Sequence, residues 1–349
     1  MRNYYTDDWI PDISAAEFDS DDKKDAISVF SGCHVSLFIY LFIAGLLVTL
    51  FQAIVYEFLP DDIALSILDN PFFFYGTQIA VMYVICFPIY CVTMRKFPKA
   101  EREKSTISLG EYISLSAICL TLVQLGAIVS MFAKEYLSSA FVLPYDIKMT
   151  SSLLQAGEVI PTVVFTIILA PIFEEFIFRK LLIDRLSVYG DRLAVIVSSV
   201  AFGLFHGNIT QLFFAILAGF VLGHVYTKTR RVIYSIGIHM LVNFLGTMPS
   251  VLYYLINGAY PEGEIAFSFA DGLSVALTLT MLVQYVLIGI GAVMLVLSFF
   301  IKKYRLSRIC DIEIPKLSLL RVVILNAGTI LFFALSVFSI VFSFFVTGQ

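Results

Sequence analysis

Long apolar stretches separated by short polar segments are the feature that most constrains this chain. A helix needs about 20 mainly apolar residues to cross a bilayer, and nine stretches approach or exceed that length. Hydrophobic residues make up 59% of the chain and charged residues 14%, whereas soluble domains have roughly 45–50% and 25%. We therefore expect an all-α fold, a polytopic transmembrane bundle of eight or nine helices in a lipid bilayer. The stretches lie near residues 35–56, 72–94, 107–132, 157–183, 193–207, 210–227, 232–255, 273–301 and 318–346.

The fifth and sixth stretches decide the helix count. They are short, and only Gly207–Thr210 joins them, so they form either two crossings or one re-entrant hairpin. The sixth stretch carries Gly219 and Gly223 in a GxxxG spacing, which lets two helix backbones approach closely. We expect these glycines to serve helix packing.

Lys and Arg concentrate in the N-terminal tail and in alternate inter-helix segments. Only Lys134 and Lys148 fall on the other side. Because cytoplasmic loops carry an excess of basic residues, the N-terminus should be cytoplasmic and, with nine crossings, the C-terminus outside. Asp184 and Asp191 are expected to be ordinary interface charges. The formal net charge of −4 argues against nucleic-acid binding, which requires a basic surface.

Two adjacent carboxylates and an arginine lie inside the fourth apolar stretch. An ionisable side chain in the hydrocarbon costs about 2.5–3.5 kcal/mol on insertion scales, so each needs a reason. Glu175 and Arg179 stand at i,i+4 in the order that favours an ion pair. Glu174 lies about 100° around the helix, without an obvious local partner, and is therefore available to act.

Two further polar pairs occur on later stretches. Phe202 and His206 share one helix face at i,i+4, so the Phe ring can orient the imidazole. His239 and Asn243 repeat that spacing on an otherwise apolar helix. Taken singly, each pair could be a structural contact between membrane helices.

A common depth connects the three stretches. Counted from the nearest basic residue at 1.5 Å per residue, Glu174, His206 and Asn243 lie roughly 16, 21 and 18 Å from the cytoplasmic face, and His239 about 12 Å. Independent structural residues have no reason to agree in depth. The sequence therefore predicts one polar cluster near the middle of the bilayer.

These motifs, EExxxR, FxxxH and HxxxN in that order, resemble those of the CAAX protease and bacteriocin-processing (Abi) family of intramembrane endopeptidases. The family includes type II CAAX prenyl endopeptidases and bacteriocin self-immunity proteins. The resemblance covers roughly residues 155–250 and shows no departure at the key positions.

The resemblance implies hydrolysis of a peptide bond within or beside the membrane. Glu174 would be the general base that activates water, and His206 would help to hold that water. His239 and Asn243 would stabilise the oxyanion. Glu175 and Arg179 would orient the helix as structural support, with Phe202 supporting His206.

Zinc is the alternative to a site without a cofactor. Glu174, His206 and His239 could form a His₂Glu set with an open position. The chain contains no HExxH, however, and the ligands would come from three separate helices. We therefore favour metal-independent catalysis.

Two other functions stay open from the sequence. The same cluster could be the core of a non-catalytic immunity protein or signalling partner, or the proton relay of a transporter. We favour an endopeptidase of a bacterial cell membrane whose partners are membrane-associated proteins or peptides, such as leader peptides, pheromone precursors or bacteriocins. The expected division is an acidic cytoplasmic tail (1–30), N-terminal transmembrane helices (31–150), the catalytic core (151–255) and C-terminal transmembrane helices (256–349).

Overall fold

A computed structural model describes residues 18–140, 159–258, 267–301 and 309–347, together with residues 304 and 306. Within these residues the secondary structure is helical and contains no strand. Eight of the helices are long and apolar enough to cross a membrane. The predicted all-α polytopic bundle is confirmed, and the protein is an integral membrane protein.

Eleven helices make up the described part of the chain. They are α1 (Ser20–Phe58), α2 (Asp61–Leu68), α3 (Pro71–Met94), α4 (Leu109–Ala140), α5 (Val159–Tyr189), α6 (Asp191–Phe205), α7 (Ile209–Thr229), α8 (Val232–Gly258), α9 (Phe267–Ile301), α10 (Lys316–Leu319 and Leu320–Ile324) and α11 (Ala327–Thr347).

The fifth predicted stretch, α6, is the one that does not reach spanning length. It has 15 residues, which rise about 22 Å at 1.5 Å each, less than the roughly 30 Å of a hydrocarbon core. It follows α5 after Gly190 alone and turns into α7 through residues 206–208. A helix of this length does not span the hydrocarbon core, and His206 lies at its C-terminal end.

The first helix is longer than the predicted stretch 35–56. It begins at Ser20 because the Asp19 side chain caps it by accepting hydrogen bonds from the backbone N–H groups of Asp21 and Asp22. These hydrogen bonds lower the pKa of Asp19 below its usual value. Residues 20–30, assigned above to the tail, are thus the first turns of α1, and residues 1–17 lie outside the described part.

The last span begins later than the predicted stretch 318–346. The chain breaks after α10, and the side chain of Asn326 caps α11 by accepting a hydrogen bond from the Thr329 N–H at 2.9 Å. The prediction missed this break because the residues on both sides of it are apolar.

Close backbone contact between α6 and α7 confirms the expected use of the GxxxG spacing. A Cβ on Gly219 would lie 2.9 Å from the Cα of Ser199, and one on Gly223 would lie 2.9 Å from Val195. The absent side chains therefore let the short helix α6 lie directly on α7, which also packs against α4. This packing holds α6 in place although the helix is too short to cross the bilayer.

Helix α5, which carries the two adjacent glutamates, is irregular. It widens into π-helical turns over Val163–Leu169 and Phe176–Ile183, and Pro171 lies between them without a backbone N–H to donate. Wide turns of this kind inside α-helices frequently occur at functional sites. They change which side chains of α5 share a face.

A buried charged network joins the ends of α5, α6 and α7. Arg230, between α7 and α8, binds the Asp191 carboxylate, lies 3.9 Å from Asp184 and donates to the Ser187 hydroxyl at 3.3 Å. The Tyr226 hydroxyl also donates to Asp184, at 2.7 Å. The side chains of Asp184, Asp191 and Arg230 are only 6%, 2% and 6% exposed.

The expectation that Asp184 and Asp191 are ordinary interface charges is therefore wrong. Local sequence places them near a helix end, but three helix ends converge there and exclude solvent. Arg230 has a φ of +53°, and no other non-glycine residue in the described part has a positive φ. Its backbone conformation turns the chain so that its guanidinium points back to both carboxylates.

Replacing Arg230 should destabilise the fold, because Arg230→Met removes the cation that pairs with the buried Asp191 carboxylate and leaves Asp184 with Lys180 alone. Breaking a buried pair in this way costs about 3–5 kcal/mol. Arg231→Met is the matched control: its side chain is exposed, and exposed changes usually stay within about 0.5 kcal/mol. Unfolding in detergent should show a lower midpoint for the first variant alone, and equal midpoints would contradict the network's role.

Candidate active site

Glu175 and Arg179 form the buried ion pair predicted from their spacing. The Arg179 Nε lies 3.1 Å from the Glu175 Oε2, and both side chains are fully buried. The geometry is that of a charge contact and not of an aligned hydrogen bond, since neither group has a hydrogen-bond partner at these atoms. The guanidinium also lies 4.7 Å above the centre of the Phe202 ring, a favourable cation–π position.

His239 lies against both glutamates. Its Nδ1 is 3.1 Å from the Glu175 Oε1, and its Nε2 is 3.7 Å from the Glu174 Oε2. Because a carboxylate held by Arg179 only accepts, the Nδ1 must carry the proton, which assigns the tautomer from the contacts. In the neutral ring, the Nε2 lone pair then faces Glu174.

Glu174 is the less constrained of the two acids. It makes no hydrogen bond within the described part of the chain, and its side chain is 15% exposed. The 3.7 Å to His239 is too long for a direct hydrogen bond. A water molecule could contact both the Glu174 carboxylate and the His239 ring only if it lay to one side of the line between their two atoms. A nucleophilic water would be held at that position.

Phe202 connects the two imidazoles. Its ring meets His206 edge-on at 4.9 Å between centroids and His239 edge-on at 5.7 Å. The Phe202 carbonyl accepts a hydrogen bond from the His206 Nδ1 at 2.8 Å, so this ring too presents its Nε2 as the free nitrogen. The short helix α6 thus delivers an oriented imidazole to the edge of the cluster.

Asn243 lies one turn after His239 on α8, and its side chain contacts α5. Its Nδ2 donates to the backbone carbonyl of Thr166 at 2.8 Å, and no other hydrogen bond of its side chain occurs in the described part. One N–H and the carboxamide oxygen remain available.

The sequence analysis predicted one cluster, and the structure brings most of its members into contact. Glu174, Glu175, Arg179, Phe202 and His239 form a connected group, and His206 joins it through Phe202. Asn243 is linked to the same helix but to a carbonyl two turns before Glu174. Glu175 contacts an imidazole directly, a contact that the predicted role of orienting the helix did not include.

The three candidate zinc ligands do not fit a coordination set as they stand. Glu174, His206 and His239 offer suitable donor types, including two free Nε2 atoms. Yet nowhere in the described ranges do three His, Cys, Asp or Glu side chains lie close enough together to hold a metal ion.

An aromatic cluster between α3 and α5 borders the site, and sequence reasoning missed it. Tyr83 of α3 stacks flat on Phe173 of α5 at 4.0 Å between ring centroids, and its ring centroid lies 5.8 Å from that of Phe165. Phe173 directly precedes Glu174. The signal was weak because one tyrosine in an apolar stretch looks like any other membrane aromatic.

The segment that contains the candidate site is similar to known membrane proteases. Residues 156–245 match the family described as type II CAAX prenyl endopeptidase Rce1-like. The chain is also 25% identical over 173 residues to the Bacillus subtilis (strain 168) protein named "Putative membrane peptidase YdiL". This alignment covers 48% of this chain and 69% of that relative. No solved structure matches the chain significantly.

The predicted resemblance to type II CAAX prenyl endopeptidases is therefore confirmed, and the matched segment contains every candidate site residue. At this level the similarity is to membrane proteases. Tyr83 lies outside the matched segment.

Proposed function

We propose that this protein is an intramembrane endopeptidase that hydrolyses a peptide bond of a membrane-associated protein or peptide with a Glu174-activated water. The observation that carries the proposal is that the two neighbouring acids, Glu174 and Glu175, have different contacts. Glu175 is held by Arg179 and His239, whereas Glu174 makes no hydrogen bond to the described residues and is partly exposed. A general base must be free to take a proton at the place where water can reach it.

In this reaction Glu174 accepts a proton from water, and the resulting hydroxide attacks the carbonyl carbon of the peptide. The peptide C–N bond then breaks, and the amine leaves with the proton that Glu174 had taken. The free Nε2 of His206 positions the water by accepting a hydrogen bond from its other O–H group. No atom or electron pair is needed beyond water and the peptide.

The developing oxyanion needs donors that are already in place. The unused N–H of Asn243 is one. His239 would supply a second from its Nε2 when both ring nitrogens carry a proton. We propose this pair as the oxyanion site.

Glu174→Gln should lower cleavage by at least about 100-fold, because general bases contribute roughly 10²–10⁴ and an amide cannot take the proton. Peptide termini would be mapped in membranes of cells that lack the protein and are complemented with each variant. Fragments that appear with the unmodified protein should be absent with Glu174→Gln. Glu57→Gln is the matched control, since Glu57 is exposed at the end of α1. Fragments that persist with Glu174→Gln would favour a non-catalytic function.

We propose that the reaction needs no metal, because the candidate ligands are not arranged as a coordination set. Elemental analysis of purified, active protein should find zinc well below one atom per chain, and cleavage should survive a strong chelator. Zinc near one atom per chain, removed together with the activity, would overturn this proposal.

We also propose a bacterial cell membrane as the location, with the N-terminus in the cytoplasm. The Bacillus relative supports the first part, and the distribution of Lys and Arg supports the second. An extracytoplasmic reporter fused after Gln349 should be active, because α6 and α7 together return the chain to the same side and the other seven long helices cross once each. An active cytoplasmic reporter at that position would contradict the topology.

A further inference from the structure

The irregular turn of α5 before Glu174 interrupts the helical hydrogen bonds at the Thr166 carbonyl. The N–H of Ala170 donates to the carbonyl of Phe165, five residues back. The next residue, Pro171, has no N–H. The Thr166 carbonyl therefore lacks both donors that could reach it along the helix, from position i+4 and from position i+5.

A carbonyl of this kind needs a partner where lipid and packed side chains exclude water. Asn243 provides it from the neighbouring helix, through the 2.8 Å hydrogen bond from its Nδ2. The bond holds the carboxamide plane, so the second N–H of the same nitrogen points in a fixed direction. A free carboxamide would instead rotate about its last side-chain torsion.

We propose that Pro171 and the Thr166 carbonyl are positioning groups that fix the orientation of the Asn243 carboxamide, one turn of α8 beyond His239. This inference rests on the proposed peptidase function only for its kinetic consequence. The proline interrupts the helix ladder at one point, and the interruption becomes an anchor for a side chain of α8. Pro171 itself touches no reacting atom.

Pro171→Ala tests the proposal because it restores a backbone N–H that can donate to the Thr166 carbonyl. The unmodified protein should show a dipolar coupling between ¹³C-labelled Thr carbonyls and ¹⁵N-labelled Asn side-chain amides in lipid bilayers, for a separation of about 4 Å or less. In the described part, the other Asn side-chain donors bond to carbonyls of His206, Val322 and Val323, so a Thr carbonyl reports on Asn243. The variant should lose this coupling without a lower unfolding midpoint.

Cleavage gives the second measurement, on a synthetic peptide that spans a site found by mapping termini. Pro171→Ala should lower kcat about tenfold or more with KM within twofold, since a mispositioned oxyanion donor acts on the transition state. If Pro171 served stability alone, its replacement would not lower kcat while leaving KM unchanged. Pro171→Ser restores the same N–H and serves as a second variant.

Pro161→Ala is the matched control. Pro161 lies in the first described turn of the same helix, and a backbone N–H at that position points away from Thr166 and cannot reach its carbonyl, so coupling and kcat should not change. The proposal is overturned if the unmodified protein lacks the coupling, if Pro171→Ala keeps it, or if the coupling is lost while kcat stays unchanged. Cleavage that persists with Glu174→Gln would refute the peptidase function and leave the coupling result standing.

Discussion

Neutralisation of Glu175 inside the helix bundle is the interaction on which the rest of the site depends. A carboxylate at this depth is costly, and the protein meets the cost with a cation one turn away and an imidazole from another helix. Because Glu175 only accepts, it sets the tautomer of His239 and turns its free nitrogen toward Glu174. The adjacent acid, Glu174, keeps no hydrogen-bond partner in the described part of the chain, and it is the one that we propose as the general base. Two identical residues, next to each other in the chain, acquire opposite roles from their surroundings.

Helix irregularity serves the same arrangement. Helix α5 presents Glu175 to the interior and leaves Glu174 reachable, since neighbouring residues lie about 100° apart around a helix. The wide turns on both sides of Pro171 change the angular spacing, and the carbonyl they expose meets Asn243. Departures from regular geometry thus cluster around the acids, as they often do where a helix carries function.

One guanidinium joins the ends of the site-bearing helices. Arg230 contacts groups at the end of α5 and the start of α6, and it lies directly before α8. Those three helices carry the glutamates, His206 and the His239–Asn243 pair. Contacts at one end of the bundle therefore fix the relative position of side chains in its interior, although no charge of the network takes part in the proposed chemistry.

Sequence alone determined the all-α membrane fold, the ion pair of Glu175 with Arg179 and the membership of the polar cluster. These follow from hydrophobic length and from the spacing of residues on one helix, which are local properties. Only the tertiary structure decided that Glu175 binds His239, that Asn243 meets the Thr166 carbonyl, that Tyr83 borders the site and that Asp184 and Asp191 are buried. Each of these depends on which faces of separate helices meet, and a pattern within one helix does not carry that information.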